Sequence, residues 1–439
     1  MEDRGDVIAE RTLTAVMRKL NRRFIAHDIP VRGFPSPNPG KEYVLYCHVP
    51  FCQRLCTYCG FNRFLYNHER STRYYRSLRE EMRMVSRLGY RFTSMYIGGG
   101  TPTILLDELC ETIDLARELF DIREVSCETS PNHLGPELVE KLSGRVQRMS
   151  VGVQSFDDVL LDQMDRYTKY GCGEELFERV RSVAGAFRST NVDMIFNFPS
   201  QTPEMLHRDV VLLRATGVNQ TTFYPLMASP ETGKSLAHTI GRISYAKEQR
   251  FYRILCDELS HDFAASSAWT FSKRGGGMID EYIVDYDEYL GIGSGAVSFL
   301  DGRVYGNTFS LSAYHDAVDN GRLSVSTCGR RFSRRAMMAY RFATELFALK
   351  LDKRAFRREF GLRVEVAMAP EYAWLKAAGA FERDDEDLLT LTDKGRYLVL
   401  VIMREMLAGQ NELRDVMRAA LPAEEREMLL DNANAAVTA

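Results

Sequence analysis

The chain has 439 residues, with 57 Lys and Arg against 60 Asp and Glu and a formal net charge of −3. That balance argues against a general nucleic-acid binder, which shows a basic excess or patch. Its 45% hydrophobic and 27% charged residues are ordinary for a globular protein, long enough for one large domain plus a smaller one. No apolar run approaches the roughly 18 residues needed to span a membrane. The opening Met1-Glu2-Asp3-Arg4-Gly5-Asp6 lacks the basic-then-apolar pattern of a signal peptide.

Residues 7–24 carry Ile8, Leu13, Val16, Met17, Leu20 and Phe24 at helical spacing. Prolines at 30, 35, 37 and 39 then make an extended linker, so 1–41 reads as a helix and arm covering the larger domain. From 42 onward, apolar strands alternate with amphipathic helices. Strands are expected at 43–48, 93–97, 124–128, 147–153, 192–198 and 220–226. Helices are expected near 72–88, 107–120, 136–142, 157–164 and 173–187, and after Thr202-Pro203, a cap followed by proline at the first helical position. Six βα units in series imply a parallel sheet with right-handed crossovers. Functional loops should gather at the carboxyl ends of its strands. A helix at 244–262, a strand at 264–271, a flexible Gly275-Gly276-Gly277 break and a glycine-rich 286–299 segment extend this core to about residue 300. Residues 301–439 read as a separate helical part. Its basic runs, Arg330 to Arg335 and Lys353 to Arg358, fit a solvated helical face, and 389–395 reads as a strand and turn into a helix.

Cysteines decide the chemistry. Cys47, Cys110, Cys127, Cys172, Cys256 and Cys328 are scattered singly, as reduced thiols of a cytoplasmic protein would be. Cys52, Cys56 and Cys59 instead stand at C-x3-C-x2-C, in the loop after the first strand. Spacings of four and three let thiolates from one tight loop converge on a metal centre. A zinc site with His48 or His68 as fourth ligand is one reading. An iron–sulfur cluster on three thiolates, with one iron left open for a substrate or cosubstrate, is the sharper one.

Other polar motifs also end strands. Gly98-Gly99-Gly100-Thr101-Pro102 leaves bare backbone for a close approach and lacks the lysine of a P-loop. Glu128 ends the third strand and Gln154 the fourth; the Gln154 amide suits ribose hydroxyls. Arg166 can pair with a carboxylate in bidentate fashion, and Asp193, inside an apolar strand, should meet a donor.

Cys52-x3-Cys56-x2-Cys59, with Tyr58 before the third cysteine, resembles the signature of the radical S-adenosylmethionine (SAM) enzymes. The fuller Tyr46-x-His48-x-Pro50-Phe51-Cys52 resembles the subfamily of oxygen-independent coproporphyrinogen III oxidase, its heme-chaperone relatives and related methyltransferases. The resemblance implies an α/β fold, a partial (β/α)6 barrel open on one side with a small, mostly helical, winged-helix-like C-terminal domain. It implies a [4Fe-4S] cluster on Cys52, Cys56 and Cys59, whose open iron chelates SAM. Tyr46 would lie near the sulfonium and Tyr58 near the adenine. Gly99, Gly100 and Thr101 would hold the SAM amino group, with Glu128, Gln154, Arg166 and Asp193 as further contacts.

Many coproporphyrinogen oxidases carry a fourth cysteine two residues after the third, where this chain has Phe61. That departure weighs against propionate decarboxylation. The strings 223–227, 267–273, 278–286 and 291–302 resemble the anaerobic heme-degrading branch, the anaerobilin synthases. The implied activity is a radical SAM methyltransferase that opens heme without oxygen, releasing iron, with a second SAM as methyl donor. Its partners would be a flavodoxin- or ferredoxin-type electron donor and an acceptor protein for heme trafficking. Heme is a flat apolar dianion, so Phe223, Tyr224, Trp269 and Phe271 are expected to face its rings, and Lys273 and Arg274 its propionates. A heme chaperone without turnover and a coproporphyrinogen oxidase stay open as alternatives.

Overall fold

Six parallel strands organise the chain: β1 (Glu42–Val49), β2 (Arg91–Gly99), β3 (Glu124–Thr129), β4 (Arg148–Gln154), β5 (Ser189–Phe196) and β6 (Gln220–Pro225). Each pairs in parallel with the next, in sequence order. The helices between them are α1 (His68–Ser86), α2 (Leu106–Leu119), α3 (Pro136–Leu142), α4 (Asp158–Gln163), α5 (Tyr167–Tyr170), α6 (Gly173–Val183) and α7 (Pro203–Ala215). This is a computed structural model, and it describes residues 13–14, 29–56, 58–227, 233, 241, 243, 245–274 and 288–428. The helix expected at 7–24, except Leu13 and Thr14, lies outside those residues, as do the 275–277 break and the 278–286 string.

Alternation along the strands decides where the core sits. Leu45, Cys47, Ile97, Val125, Met149, Val151, Val192 and Met194 point toward the helices and are buried. The intervening positions face the barrel interior, which is polar. Ser150 Oγ donates to Asp193 Oδ2 at 2.8 Å and Asn191 Nδ2 to Asp193 Oδ1 at 2.9 Å. Thr222 Oγ1 donates to Asn191 Oδ1 at 3.1 Å, and Arg148 Nε to Gln220 Oε1 at 2.7 Å. Asp193, partly buried, thus meets donors from both Ser150 and Asn191. Local signals set the helix starts: Asn67 Oδ1 accepts from Arg70 N at 3.0 Å and Thr202 Oγ1 from Met205 N at 3.3 Å.

Beyond β6 two expectations change. The segment read as one strand at 264–271 is a hairpin, Phe263–Ala265 with Thr270–Lys273. Ser266 N donates to Thr270 O at 2.8 Å and Thr270 N to Ser267 Oγ at 3.1 Å, closing the turn. The 286–299 stretch holds two strands, Tyr289–Ile292 and Val297–Leu300, separated at Gly293 and Gly295, whose φ angles are 95° and 84°. Tyr289–Ile292 runs parallel to β1, on the side away from β2, as a seventh parallel strand. Antiparallel strands prolong both edges, and the described sheet has thirteen strands in an open order that does not close on itself. It also runs past residue 300, through Arg303–Asn307 and Val325–Cys328.

The remainder is mostly helical, with a three-stranded sheet of Lys350–Asp352, Leu388–Leu391 and Phe381–Asp384. The run Arg330 to Arg335 lies on the surface and pairs with acids, Arg331 with Asp301 and Arg335 with Glu371, each at 2.5 Å. In the second run Lys353 is instead buried, against Glu365 at 2.8 Å and Asp384 at 2.6 Å. Thr392 caps a long helix, Asp393–Ala419, that packs back on the barrel. None of the described helices is long and apolar enough to cross a membrane.

A buried ion pair fixes that helix. Arg404 contacts Glu248, and both side chains are 0% exposed. Arg404 also reaches Glu405 at 3.0 Å and Thr14 Oγ1 at 2.9 Å, and lies 3.8 Å over the Tyr245 ring. Tyr397 Oη donates to Glu248 at 3.2 Å. Removing one partner of such a pair leaves an uncompensated buried charge. Arg404→Met should therefore lower stability by about 3–5 kcal/mol, and Arg404→Met with Glu248→Gln by less. Anaerobic urea unfolding of both variants reads this directly. A double variant less stable than the single one would refute it.

Candidate functional site

The end of β1 and the glycine turn after β2 meet through backbone. Gly100 N donates to Val49 O at 2.8 Å, and Thr101 N to Phe51 O at 2.7 Å. A Cβ at Gly100 would stand 2.5 Å from Phe51 O, one at Gly99 2.6 Å from the His48 ring, and one at Gly98 2.7 Å from Glu128 Oε1. Each glycine is bare for a different neighbour. The cysteine loop is pinned at this junction, where Phe51–Cys52 pairs with Phe64–Leu65.

Cys52 and Cys56 are buried and Cys59 half-buried, all three free thiols. Thr101 Oγ1 lies 3.8 Å from Cys52 Sγ. Around Cys56 the surroundings are cationic. Arg166 Nη1 is 3.5 Å and Lys169 Nζ 4.0 Å from its sulfur, while Arg63 forks onto its carbonyl oxygen at 3.0 and 2.7 Å. Burial pushes the Cys56 thiol up, but Lys169, Arg166 and Arg63 outweigh it and the pKa is lowered. At Cys52 burial wins and the pKa is raised. Three thiols on one loop, ringed by cations, fit an anionic iron–sulfur cluster.

His48 is not a spare ligand. Its Nε2 faces the Asn62 carbonyl oxygen at 2.9 Å, so Nε2 carries the proton, and Nδ1 accepts from the Tyr46 hydroxyl at 2.8 Å. Burial holds its pKa down to about 4. His68 lies at the start of α1 with Nδ1 3.1 Å from Tyr66 Oη, on the surface. Neither imidazole supports the zinc reading.

The other expected contacts lie on the inner face at the carboxyl ends of consecutive strands. The Tyr46 and Tyr96 rings are 6.1 Å apart. Glu128 accepts from Tyr96 Oη at 2.8 Å and from Gly99 N at 3.0 Å. Gln154 has φ of 80°, where the β4–β5 register slips between Gly152 and Gln154. Arg166 bridges the loop to β4, donating to Gly152 O and, at 3.3 Å, to Tyr58 Oη. Its buried Nε has no partner among the described residues, a donor left for a ligand.

The expected heme group does not assemble. Tyr224 and Trp269 meet at 5.2 Å between ring centroids. Phe223, however, alternates to the opposite face of β6, toward the helices, and Phe271 pairs in register with Thr221 on that same face; both are buried. Lys273 N donates to Asn219 O at 2.8 Å, Lys273 Nζ to Gly217 O at 3.1 Å, and Arg274 to Ser260 O at 3.1 Å. Those partners precede β6 or follow it on the return, so both cations sit at the amino-terminal end of the barrel, opposite the cysteine loop. The antiparallel hairpin carries 273–274 away from the site, which a sequence read in isolation does not show.

Several residues escaped the sequence. Lys169 lies three residues after Arg166, a spacing that shares a helix face. Asp209 on α7 accepts from Phe156 N at 2.7 Å and Ser155 Oγ at 2.8 Å, steadying the segment after Gln154; burial pushes its carboxyl up to about 7. Arg418 donates to Gly60 O at 2.6 Å, Asn411 crowds Gly60, and Arg414 lies 4.5 Å over the Phe61 ring. No local signal announces contacts some 350 residues apart in sequence.

Comparison with known proteins agrees with this geometry. Residues 46–213 match the model of the radical SAM superfamily. That stretch is a radical SAM domain, whose cofactors are a [4Fe-4S] cluster and SAM. Beyond that stretch the chain is similar to several heme- and porphyrin-related proteins. It is 26% identical over 413 residues to the anaerobilin synthase of Escherichia coli O157:H7, covering 89% of this chain and 88% of that one. It is 28% identical over 288 residues to the heme chaperone HemW of Bacillus subtilis, covering 62% and 75%. The fold is that of the coproporphyrinogen III oxidase of Escherichia coli, with a TM-score of 0.68 at 20% identity over 90% of this chain and 93% of that one.

The glycine junction gives a direct test. Gly100→Ala forces backbone apart at Phe51 and should cost about 1–3 kcal/mol. Iron retained per chain after anaerobic reconstitution should fall. Wild-type stability and iron content in this variant would disprove the close approach.

Proposed function

We propose that the protein is a cytoplasmic radical SAM methyltransferase that opens heme anaerobically to a methylated linear tetrapyrrole and releases its iron. The observation that carries this reading is the likeness to the anaerobilin synthase over nearly the whole of both chains. A second reading, a heme chaperone without turnover, is favoured by the likeness to the heme chaperone HemW. Phe61, in place of a fourth cysteine, weighs against coproporphyrinogen oxidation.

Cys52, Cys56 and Cys59 would hold the cluster, and Tyr46, Tyr58, Gly99, Gly100, Thr101, Glu128, Gln154, Arg166 and Asp193 the SAM. When bound, these groups supply one-electron cleavage of a sulfonium and a methyl group. The chain's own part is placement. Glu128 presents a carboxylate to the SAM amino group, Gln154 turns its amide to the ribose, and the unpartnered Nε of Arg166 offers a donor to the SAM carboxylate. Tyr224, half-buried at the barrel wall, offers π surface to heme. Trp269, buried between Tyr224 and Phe347, drops out of the heme set with Phe223, Phe271, Lys273 and Arg274.

Single Ala changes at Cys52, Cys56 or Cys59 should abolish cluster absorption after anaerobic reconstitution, while Cys172→Ala should keep it. Gln154→Ala and Glu128→Ala should keep the cluster but weaken SAM binding by roughly 5- to 150-fold, the cost of about 1–3 kcal/mol for a lost buried hydrogen bond. Cluster loss in Cys172→Ala would sink the ligand assignment. SAM titrations unchanged in both polar variants would place the nucleoside elsewhere.

An activity assay separates enzyme from carrier. The heme Soret band should fall only with heme, SAM and a flavodoxin-type reductant together, 5′-deoxyadenosine should accumulate, and the product mass should include a group from SAM. A Soret band that survives full reducing conditions, with heme passed intact to an acceptor protein, would replace this reading with the chaperone.

A further inference from the structure

Four cations crowd the cysteine loop: Arg54 within it, Arg63 just after it, and Arg166 and Lys169 across from it. None forms an ion pair with a carboxylate among the described residues. Elsewhere cations commonly do, as Arg79 with Glu108 at 2.7 Å, Arg145 with Asp114 at 2.8 Å and Arg208 with Asp157 at 2.9 Å. The loop therefore carries positive charge that no described acid balances.

Two of the four tie backbone segments together: Arg63 forks onto the Cys56 carbonyl and Arg166 ties the loop to Gly152, while Lys169 Nζ donates to the Arg54 carbonyl within the cysteine loop at 2.5 Å. Lys169 is the cation whose charged head faces a candidate ligand without anchoring a neighbouring strand. Its Nζ lies 4.0 Å from Cys56 Sγ and 4.6 Å from the centroid of the Tyr170 ring, with the Arg166 guanidinium 4.3 Å from the same ring. Tyr170 is thus a platform that holds two positive groups against one thiolate. Adding an electron to a cluster on three thiolates increases its negative charge, and a nearby cation in a partly desolvated site favours that state.

We propose that Lys169 tunes the cluster, its ammonium raising the reduction potential of the group bound by Cys52, Cys56 and Cys59 and so easing entry of the one electron an external donor supplies. Lys169 acts through the cluster and touches no substrate. The proposal rests on the ligand assignment above.

The test is an EPR-monitored redox titration of full-length, anaerobically reconstituted protein without SAM or heme, with iron per chain measured first. Lys169→Met removes the charge and the donor. Lys169→Gln removes the charge but keeps a donor for the Arg54 carbonyl, and Lys169→Arg keeps the charge. Met and Gln should each lower the ratio of reduced to oxidised cluster about tenfold at a fixed potential, which for one electron is about 59 mV more negative. Arg should stay near wild type. Unmoved potentials in Met and Gln at full iron content would overturn the proposal. So would a wild-type potential in Gln with a shift in Met, because the hydrogen bond and not the charge would then be responsible. A wild-type chain that takes up no iron would overturn the ligand assignment itself, and this proposal with it.

Discussion

Two backbone hydrogen bonds, Gly100 N to Val49 O and Thr101 N to Phe51 O, hold the site together. They extend the β1–β2 ladder beyond the sheet and lay the glycine turn directly on the root of the cysteine loop. The approach is possible only because three successive residues lack a Cβ, each against a different group: Glu128, the His48 ring and the Phe51 backbone. His48 then passes the constraint on. Its ring ties Tyr46 on β1 to the Asn62 carbonyl on the far side of the loop, so one imidazole fixes both the inner face of β1 and the loop's return.

The barrel interior suits such a site because it is polar and hydrogen-bonded. Ser150, Asn191, Asp193 and Thr222 bond one another across β4, β5 and β6 below the strand ends, so the floor beneath the site is a rigid hydrogen-bonded layer. Above it stands the group of cations around Cys56. Burial opposes each of these charges, yet the neighbouring thiols and Tyr170 outweigh it, and the pKa of Lys169 is raised. The remote helix Asp393–Ala419 completes the enclosure. Arg404 anchors it on Glu248, and one face of its later turns reaches Gly60 and Phe61 through Asn411, Arg414 and Arg418. A single rigid element therefore joins the barrel wall to the residues just after Cys59.

Strands, helices and their order were legible because burial imposes its period on the sequence. The outward residues of β1 to β6 are apolar, the helices repeat at 3.6, and Thr202-Pro203 marks a start in two letters. Misreadings came where that period is interrupted. Ser266 and Ser267 close a turn with local hydrogen bonds inside an apolar run, and Gly293 and Gly295 split another with positive φ. The heme group failed for a related reason. Phe223 and Tyr224 are adjacent in sequence and so must face opposite sides of a strand, and an antiparallel return carries Lys273 and Arg274 to the wrong end of the barrel.

By itself the sequence determined the cysteine loop, its place after the first strand, the glycine turn, the strand-end positions of Glu128 and Gln154 and the place of Asp193 within its strand. These depend on spacing within one segment or on the βα period, and both are written locally. Only the tertiary structure decided which side chains share the site. It engaged both nitrogens of His48, brought Arg166 and Lys169 to Cys56 across more than 100 residues of chain, and set Asn411 and Arg418 on Gly60. Contacts of that kind depend on register, strand direction and helix packing summed over the whole fold, and no local pattern of residues encodes that sum.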